Sequence, residues 1–116
     1  MPSDNEYSLI EEIRKTKGYT IALLTTFNFE MPFFERSILP ILLDNEVRSI
    51  HLFVDGDNFR EAIKNGQSRN LGKKYIVSPI EMQGAFHSKL VLLLGEDRAR
   101  LLIGSASFWA AERALL

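Results

Sequence analysis

The spacing of apolar residues predicts a helix at the start of the chain and a buried strand directly after it. Apolar side chains recur at helical intervals between Ser3 and Gly18, and Ser3 and Glu6 have the spacing of a capping box. Residues 19–27 then form a continuous run of apolar and β-branched side chains. Such a run is typical of a strand that is covered on both faces.

The next part of the chain predicts two further helices with a strand between them. Pro32 suits the first turn of a helix, and Pro40 is expected to kink or shorten that helix. Residues 47–54 form a second apolar run, which predicts a buried strand. Asn58 is suited to cap a helix, so a short third helix is expected from there to Gly66.

Three more strands are predicted in the last part of the chain. They cover residues 74–80, 86–94 and 100–105, and a short loop, residues 95–98, separates the last two. A loop of this length forces these two strands into an antiparallel hairpin. Because strands alternate with helices and are nearly continuously apolar, we predict an α/β fold whose mixed, mostly parallel sheet ends in this hairpin.

The composition indicates one ordinary soluble domain, residues 1–116. The chain has 46% hydrophobic and 25% charged residues, with a formal net charge of -1. This balance argues against a strong, generic nucleic-acid footprint but is compatible with a local basic groove. The absence of cysteine excludes disulfides and thiolate metal sites. The apolar runs are too short to span a membrane and the first residues do not resemble a signal peptide, so we expect a cytoplasmic protein.

The residues best suited to chemistry lie on the last two predicted strands. His87 and Lys89 share one face of a strand, and two serines, Ser105 and Ser107, follow the hairpin loop. If the hairpin centres on Asp97, Lys89 faces Ser105 and His87 faces Ser107. An imidazole, an ammonium group and two hydroxyls then surround one place, which is a set suited to holding and attacking a phosphate ester.

These residues resemble the motif of the phospholipase D superfamily, His-x-Lys-x-x-x-x-Asp followed by Gly-Ser-x-Asn. Residues 20–29 also look like the first strand of its bacterial members. The resemblance implies an α/β/α sandwich and a phosphodiesterase that needs no metal or other cofactor. In such enzymes a motif histidine attacks phosphorus and forms a phosphohistidine. By resemblance, His87 is the nucleophile or the acid–base partner, Lys89 binds the nonbridging phosphate oxygens, and Ser105 and Ser107 donate hydrogen bonds to phosphate.

The chain departs from that motif at two positions. Leu94 stands where the family has aspartate, a residue that tyrosyl-DNA phosphodiesterases also lack, and Ser107 stands in place of the asparagine. Serine has a shorter reach than asparagine. An alternative interpretation is therefore a non-catalytic half that keeps the fold as a dimerisation or ligand-binding module.

The chemistry implied by the resemblance needs a second histidine. In-line displacement at phosphorus requires a nucleophile on one side and a proton donor on the other. The chain holds one motif, and its other histidine, His51, falls in the second predicted strand. We therefore expect either a homodimer or a longer two-motif protein of which this chain is the N-terminal half.

Nucleic acid is the preferred substrate class, because no membrane-binding helix is predicted and a lipid surface is then a less natural substrate. Phospholipid headgroup esters are the alternative, because the motif binds phosphate and does not specify what is attached to it. A basic stretch is either a solvated surface or a track for a phosphodiester backbone. It consists of Lys64, Arg69, Lys73 and Lys74. Residues 55–57, Asp-Gly-Asp, match neither a dinucleotide fingerprint nor a calcium loop and are expected to form a turn.

Overall fold

The computed structural model describes residues 4–26, 29–64, 68–81 and 89–104, without the side chains of residues 4–9 and 89. Its elements, in chain order, are α1 (Asp4–Lys15), β1 (Ile21–Thr26), α2 (Met31–Phe33), a π-helical turn (Phe34–Ile38), α3 (Leu39–Asp44), β2 (Ser49–Asp55), α4 (Gly56–Lys64), β3 (Ile76–Ile80), β4 (Lys89–Leu94) and β5 (Ala99–Gly104). The predicted alternation of helices and strands is confirmed within this part of the chain.

The described strands form one mixed sheet in the order β3-β2-β1-β4-β5. β1, β2 and β3 are parallel, whereas β4 pairs antiparallel with both β1 and β5. β5 therefore runs in the same direction as β1, and β4 alone among these strands opposes the others. The predicted α/β class, with a mostly parallel sheet that ends in a hairpin, is confirmed.

One face of the sheet carries the hydrophobic core. Alternate strand residues such as Leu24 and Leu52 are fully buried there, together with Ile13 from α1 and Leu42 from α3. Both parallel connections, β1 to β2 and β2 to β3, move in the same direction across the sheet. Because such crossovers are right-handed, their helices lie on the same face.

The opposite face of the sheet is largely exposed within the described part of the chain. Its exposed large apolar side chains are Ile21, Ile76, Ile80, Leu101 and Ile103, with exposed fractions between 37% and 65%. The described residues therefore build two layers, a sheet and one helical layer, of the three that an α/β/α sandwich contains. We call this surface the open sheet face.

The helix that contains Pro40 continues through the proline because the turn before it is wider than an α-helical turn. The Leu39 amide donates to the carbonyl oxygen of Phe34, five residues back, and Pro40 lies in the first turn of α3. A proline ring in a regular helix collides with the carbonyl group four residues earlier. A π-helical turn is one way in which a helix absorbs such a conflict.

The start of α4 differs from the prediction. The helix begins at Gly56, and the carboxylate of Asp55 accepts a 3.1 Å hydrogen bond from the Asn58 amide. Asp55 is thus the capping residue and Asn58 lies inside the helix, so the prediction that Asn58 caps it is wrong. The predicted turn over residues 55–57 is also wrong, because these residues join β2 directly to α4.

Candidate functional site

The two motif segments reach the sheet at the edge where its parallel strands end. β1 ends at Thr26, and the neighbouring pair, Thr25 and Leu90, lies one residue from the start of β4 at Lys89. β5 ends at Gly104, which pairs with Lys89. Ligands of open α/β sheets bind beyond the carboxyl ends of the strands. The backbone of Lys89 and Gly104 therefore lies at the edge of the sheet where a ligand is expected.

The hairpin register differs by one residue from the prediction. Lys89 pairs with Gly104 and not with Ser105, and Leu94 pairs with Ala99 at the other end of the hairpin. The prediction placed the centre of the loop on Asp97, which requires an odd number of loop residues. The structure has a loop of even length, residues 95–98, closed by a 2.8 Å hydrogen bond from the Gly95 amide to the Arg98 carbonyl oxygen.

A tertiary contact holds this loop against the rest of the fold. The Arg98 guanidinium carbon lies 4.5 Å from the centre of the Tyr19 ring, and the guanidinium also donates to the carbonyl oxygen of Lys17. Gly18, between them, has φ = +91°, a conformation that favours glycine. The segment after α1 thus supplies the partners that stabilise the four-residue loop.

The predicted chemical groups of the site fall largely beyond the described residues. His87, Ser105 and Ser107 lie outside them, and for Lys89 the backbone alone is described. The roles predicted for these four residues, and the predicted pairing of His87 with Ser107, therefore stay predictions.

Leu94, the position of the missing family aspartate, lies far from the start of β4. It pairs with Ile21 at the amino end of β1 and with Ala99 across the hairpin. It lies five residue steps from Lys89, which corresponds to about 17 Å along the strand. A carboxylate at position 94 would therefore not contact a phosphate group held at Lys89.

His51 is engaged elsewhere on the open sheet face. One ring nitrogen, Nε2, lies 2.7 Å from the Ser78 hydroxyl, and Phe53 stacks on the ring with centroids 4.4 Å apart. In the register of the sheet, His51 lies two strands and three residues away from Lys89. That offset is about 14 Å from the strand rise and spacing. His51 is therefore not the second histidine of a site at Lys89.

The described residues of the basic stretch lie in different surroundings. Lys64, on α4, pairs with Glu61 at 3.7 Å, and Arg69 is exposed. Lys73 and Lys74 instead line a pocket on the open sheet face. Lys64 is not part of the lining of this pocket.

Sequence reasoning missed a polar cluster around Glu35, which lies in the π-helical turn. Its carboxylate accepts a 2.6 Å hydrogen bond from the Tyr75 hydroxyl, a 3.2 Å bond from the Asn70 amide group and a further bond from the Ser68 hydroxyl. Burial, the hydrogen bond to Glu35 and the charge of that carboxylate raise the pKa of Tyr75. These partners are 33 to 40 residues from Glu35, so no local pattern could reveal them.

Within residues 4–26, 29–64, 68–81 and 89–104, no three histidine, aspartate or glutamate side chains form a group that could hold a metal ion. In the same part of the chain, no helix is both long enough and apolar enough to cross a membrane.

Comparison with known proteins gives a likeness of fold. No protein-family model and no curated protein sequence matches the chain. Among solved structures, the fold is similar to that of a mutant of yeast tyrosyl-DNA phosphodiesterase, with a TM-score of 0.50 and 19% sequence identity. The match covers 87% of this chain and 24% of that chain, so this chain spans about a quarter of the length of that protein. That protein belongs to the superfamily whose motif the sequence resembles.

Proposed function

We propose that the chain is a phosphodiesterase domain of the phospholipase D type that acts on nucleic-acid phosphodiesters without a metal ion. The observation that carries the proposal is the fold, which is similar to that of a tyrosyl-DNA phosphodiesterase over 87% of this chain. The His-x-Lys motif supports it independently, because its lysine, Lys89, starts β4 at the edge of the sheet where ligands of α/β folds are expected.

In the proposed reaction, a ring nitrogen of His87 attacks phosphorus. The new P–N bond forms while the bond from phosphorus to the leaving oxygen breaks, and that oxygen takes a proton from a second histidine. Water then attacks phosphorus, gives its proton to the second histidine, and displaces His87. Lys89, Ser105 and Ser107 stabilise the charge on the nonbridging oxygens during both steps.

The second histidine comes from another polypeptide half. His51 lies about 14 Å from the Lys89 backbone by the strand rise and spacing, and it is bonded to Ser78. We propose that a second copy of the chain, or the other half of a longer protein, completes the site. The 24% share of the tyrosyl-DNA phosphodiesterase chain that this chain matches supports the proposal of a partial catalytic unit.

The rival interpretation, a non-catalytic module, rests on Leu94, on Ser107 and on the presence of a single motif. The position of Leu94 weakens the first of these three arguments, because an aspartate there would be about 17 Å along β4 from Lys89. Its replacement by leucine therefore removes no group that could contact the phosphate. The enzymatic proposal is favoured on this ground.

The test is hydrolysis of a chromogenic phosphodiester in excess chelator. We expect turnover that His87→Ala and Lys89→Met reduce by a factor of about 100 or more, in line with the loss of a nucleophile or a charge-stabilising group. Lys64→Met is the matched control, since Lys64 lies on α4 and pairs with Glu61. Equal, slow turnover in all four proteins would support the non-catalytic module.

The shared site has its own test, which uses protein concentration. If two copies complete one site, activity per chain rises with concentration and parallels the fraction of dimer in light scattering. Full activity per chain from a monomer would contradict the proposal that a second copy supplies the proton donor.

A further inference from the structure

The open sheet face carries a pocket at the amino ends of β1 and β2. Its volume is about 280 Å³. Leu23, His51 and Ile76 are neighbours in register across β1, β2 and β3, and all three line the pocket. Arg48, just before β2, is also part of its lining. We call this site the basic pocket.

The basic pocket is separate from the place where β4 begins. Ile21 lines the pocket and lies five residue steps, about 17 Å, from Thr26 at the other end of β1. Leu24 is fully buried on the helix-covered face and pairs with Val91, so the alternation along β4 puts position 89 on that covered face. The pocket opens on the other face of the sheet. A ligand in it therefore does not contact a phosphate group held at the start of β4.

Three cations surround the basic pocket, and none of the described residues that line it carries a carboxylate. Arg48, Lys73 and Lys74 contribute the positive charges, and we call them the pocket cations. None of the three has an ion-pair partner among the described residues, whereas Lys64 on α4 pairs with Glu61. Unpaired cations around a concave surface attract an anion.

Backbone hydrogen bonds close the turn that carries the two lysines. The amides of Lys73 and Lys74 both donate to the carbonyl oxygen of Asn70, at 2.9 and 2.7 Å. The Gly72 amide donates to the carbonyl oxygen of Tyr75 at 2.7 Å. The backbone from which both lysine side chains extend is thus already ordered without a ligand. Binding then costs less conformational entropy than it would from a flexible loop.

The pocket contacts one face of the His51 ring. Phe53 stacks on the ring at an angle of 17°, and the Ser78 hydroxyl lies 2.7 Å from Nε2. Both partners lie towards the carboxyl end of β2 and neither lines the pocket, so the pocket adjoins the opposite face of the ring. On that side, Ser49 is small and exposed and also lines the pocket. An accessible aromatic face beside cations is suited to stacking a nucleobase.

We propose that the basic pocket binds a nucleoside diphosphate or triphosphate, with its base on the His51 ring and its phosphates among the pocket cations. Arg48 lies three residues before His51, about 10 Å in the strand direction, so a ligand that reaches both carries its charge and its planar group at separate ends. Three cations suit a chain of phosphates better than a single one, because each can form charge-assisted hydrogen bonds to different oxygens. The site goes beyond the proposed function and does not depend on it.

The ligand class is tested by isothermal titration calorimetry on the full chain in excess chelator, with ADP, pyrophosphate and adenosine. We expect ADP to bind roughly fivefold or more tightly than pyrophosphate, the range of one stacked base, although pyrophosphate carries at least as much charge. Adenosine, which lacks phosphates, should bind most weakly. Equal affinities for ADP and pyrophosphate would show a site for phosphate alone and overturn the proposal.

The cations are tested by replacing all three pocket cations together with glutamine. We expect ADP binding to weaken roughly tenfold to a hundredfold, because charge-assisted hydrogen bonds to the phosphates are lost. The matched control replaces Arg14, Arg60 and Lys64 with glutamine, which changes the net charge equally, and these three pair with carboxylates on the helices. A similar loss in both triple variants would reveal a general charge effect and refute the site.

The ring is tested by His51→Ala against Ser78→Ala. The serine variant loses the hydrogen bond to the ring but keeps the ring itself. We expect His51→Ala to abolish the preference for ADP over pyrophosphate while its pyrophosphate affinity stays within about twofold, and Ser78→Ala to keep the preference. If His51→Ala weakened both ligands equally, the effect would come from local structure, and the stacking role would be wrong.

His87→Ala separates the pocket from the proposed catalysis. We expect this variant to bind ADP as tightly as the native chain, because the pocket lies at the other end of β1. Loss of ADP binding in His87→Ala would assign the nucleotide to the motif and overturn the pocket. Conversely, normal ADP binding by a native chain that does not hydrolyse the chromogenic ester would refute the catalytic proposal and support the pocket.

Discussion

The hydroxyl of Tyr75 donates a 2.6 Å hydrogen bond to the carboxylate of Glu35, a residue 40 positions earlier in the chain. This bond joins the segment before β3 to the π-helical turn. Burial and the neighbouring carboxylate raise the pKa of Tyr75 above its ordinary value of about 10. The folded chain therefore keeps the phenolic proton at a pH at which the unfolded chain releases it.

The first prediction is a loss of stability at alkaline pH. The contribution of Tyr75 to the free energy of unfolding is fully present below about pH 10 and declines as the pH rises further, since the unfolded state then binds fewer protons. Tyr75→Phe should make this decline with pH shallower. The measurement is the free energy of unfolding, obtained from urea unfolding at pH 8 to 11.5. Glu35→Gln, which keeps an acceptor without its charge, should give an intermediate slope. Identical slopes in all three proteins would contradict this assignment.

The second prediction concerns Asn45, which closes the carboxyl end of α1. Its side-chain amide nitrogen lies 2.9, 3.1 and 2.9 Å from the carbonyl oxygens of Ile13, Arg14 and Thr16. Removing this donor leaves buried carbonyl groups without a partner, so Asn45→Ala should lower the free energy of unfolding by about 1–3 kcal/mol. The neighbouring, exposed Asp44 provides the control. Asp44→Ala should change the free energy of unfolding by less than about 0.5 kcal/mol.

The third prediction tests the distance between Leu94 and the motif. Restoring the family aspartate with Leu94→Asp should not increase phosphodiester hydrolysis, because the carboxylate lies about 17 Å along β4 from Lys89. Leu94 is half-buried between Ile21 and Ala99, so the charge should instead cost about 1–3 kcal/mol of stability. Leu94→Asn is the uncharged comparison. A tenfold rise in activity that requires the carboxylate would show that position 94 acts on the phosphate.

The fourth prediction tests the hairpin register through cross-linking, for which a chain without cysteine is well suited. Leu92 and Leu101 are directly paired in the structure. Cysteines at both positions should form an intramolecular disulfide on mild oxidation, detected by mass as the loss of two hydrogens, because directly paired side chains have Cβ atoms about 4.5–5.5 Å apart. The pair Leu92→Cys and Leu102→Cys, which is paired in the predicted register, should not cross-link. The reverse pattern would restore the predicted register.

Most of the fold could be predicted from local patterns. Apolar runs indicated β1 and β2, and the short loop after Leu94 required a hairpin, because such features depend on residues adjacent in sequence. The boundary between β2 and α4 could not be predicted correctly from local patterns. Asp55 and Asn58 are both good capping residues, and which of them caps α4 depends on where β2 stops pairing with its neighbours.

The candidate site shows the same division. His87, Lys89 and the serines could be singled out because their residue types and spacing carry the chemistry. The residue that Lys89 faces across the hairpin could not be predicted. It depends on the length of the loop and on the contact of Arg98 with Tyr19, which is distant from Arg98 in sequence. The turn that contains Lys73 and Lys74 could not be predicted either, because Glu35 contacts the residues on its two sides, 35 and 40 positions further along the chain.

The sequence by itself determined the α/β class, the order of the described elements and the motif, because helical and strand periods are local properties of the chain. The tertiary structure decided which helix cap is used, how the hairpin is aligned, which sheet face is covered and which cations share a pocket. These features arise from contacts between distant segments. The partners of side chains such as Arg98 and Glu35 are distant in sequence, so the free energy that selects them is absent from any short stretch of sequence.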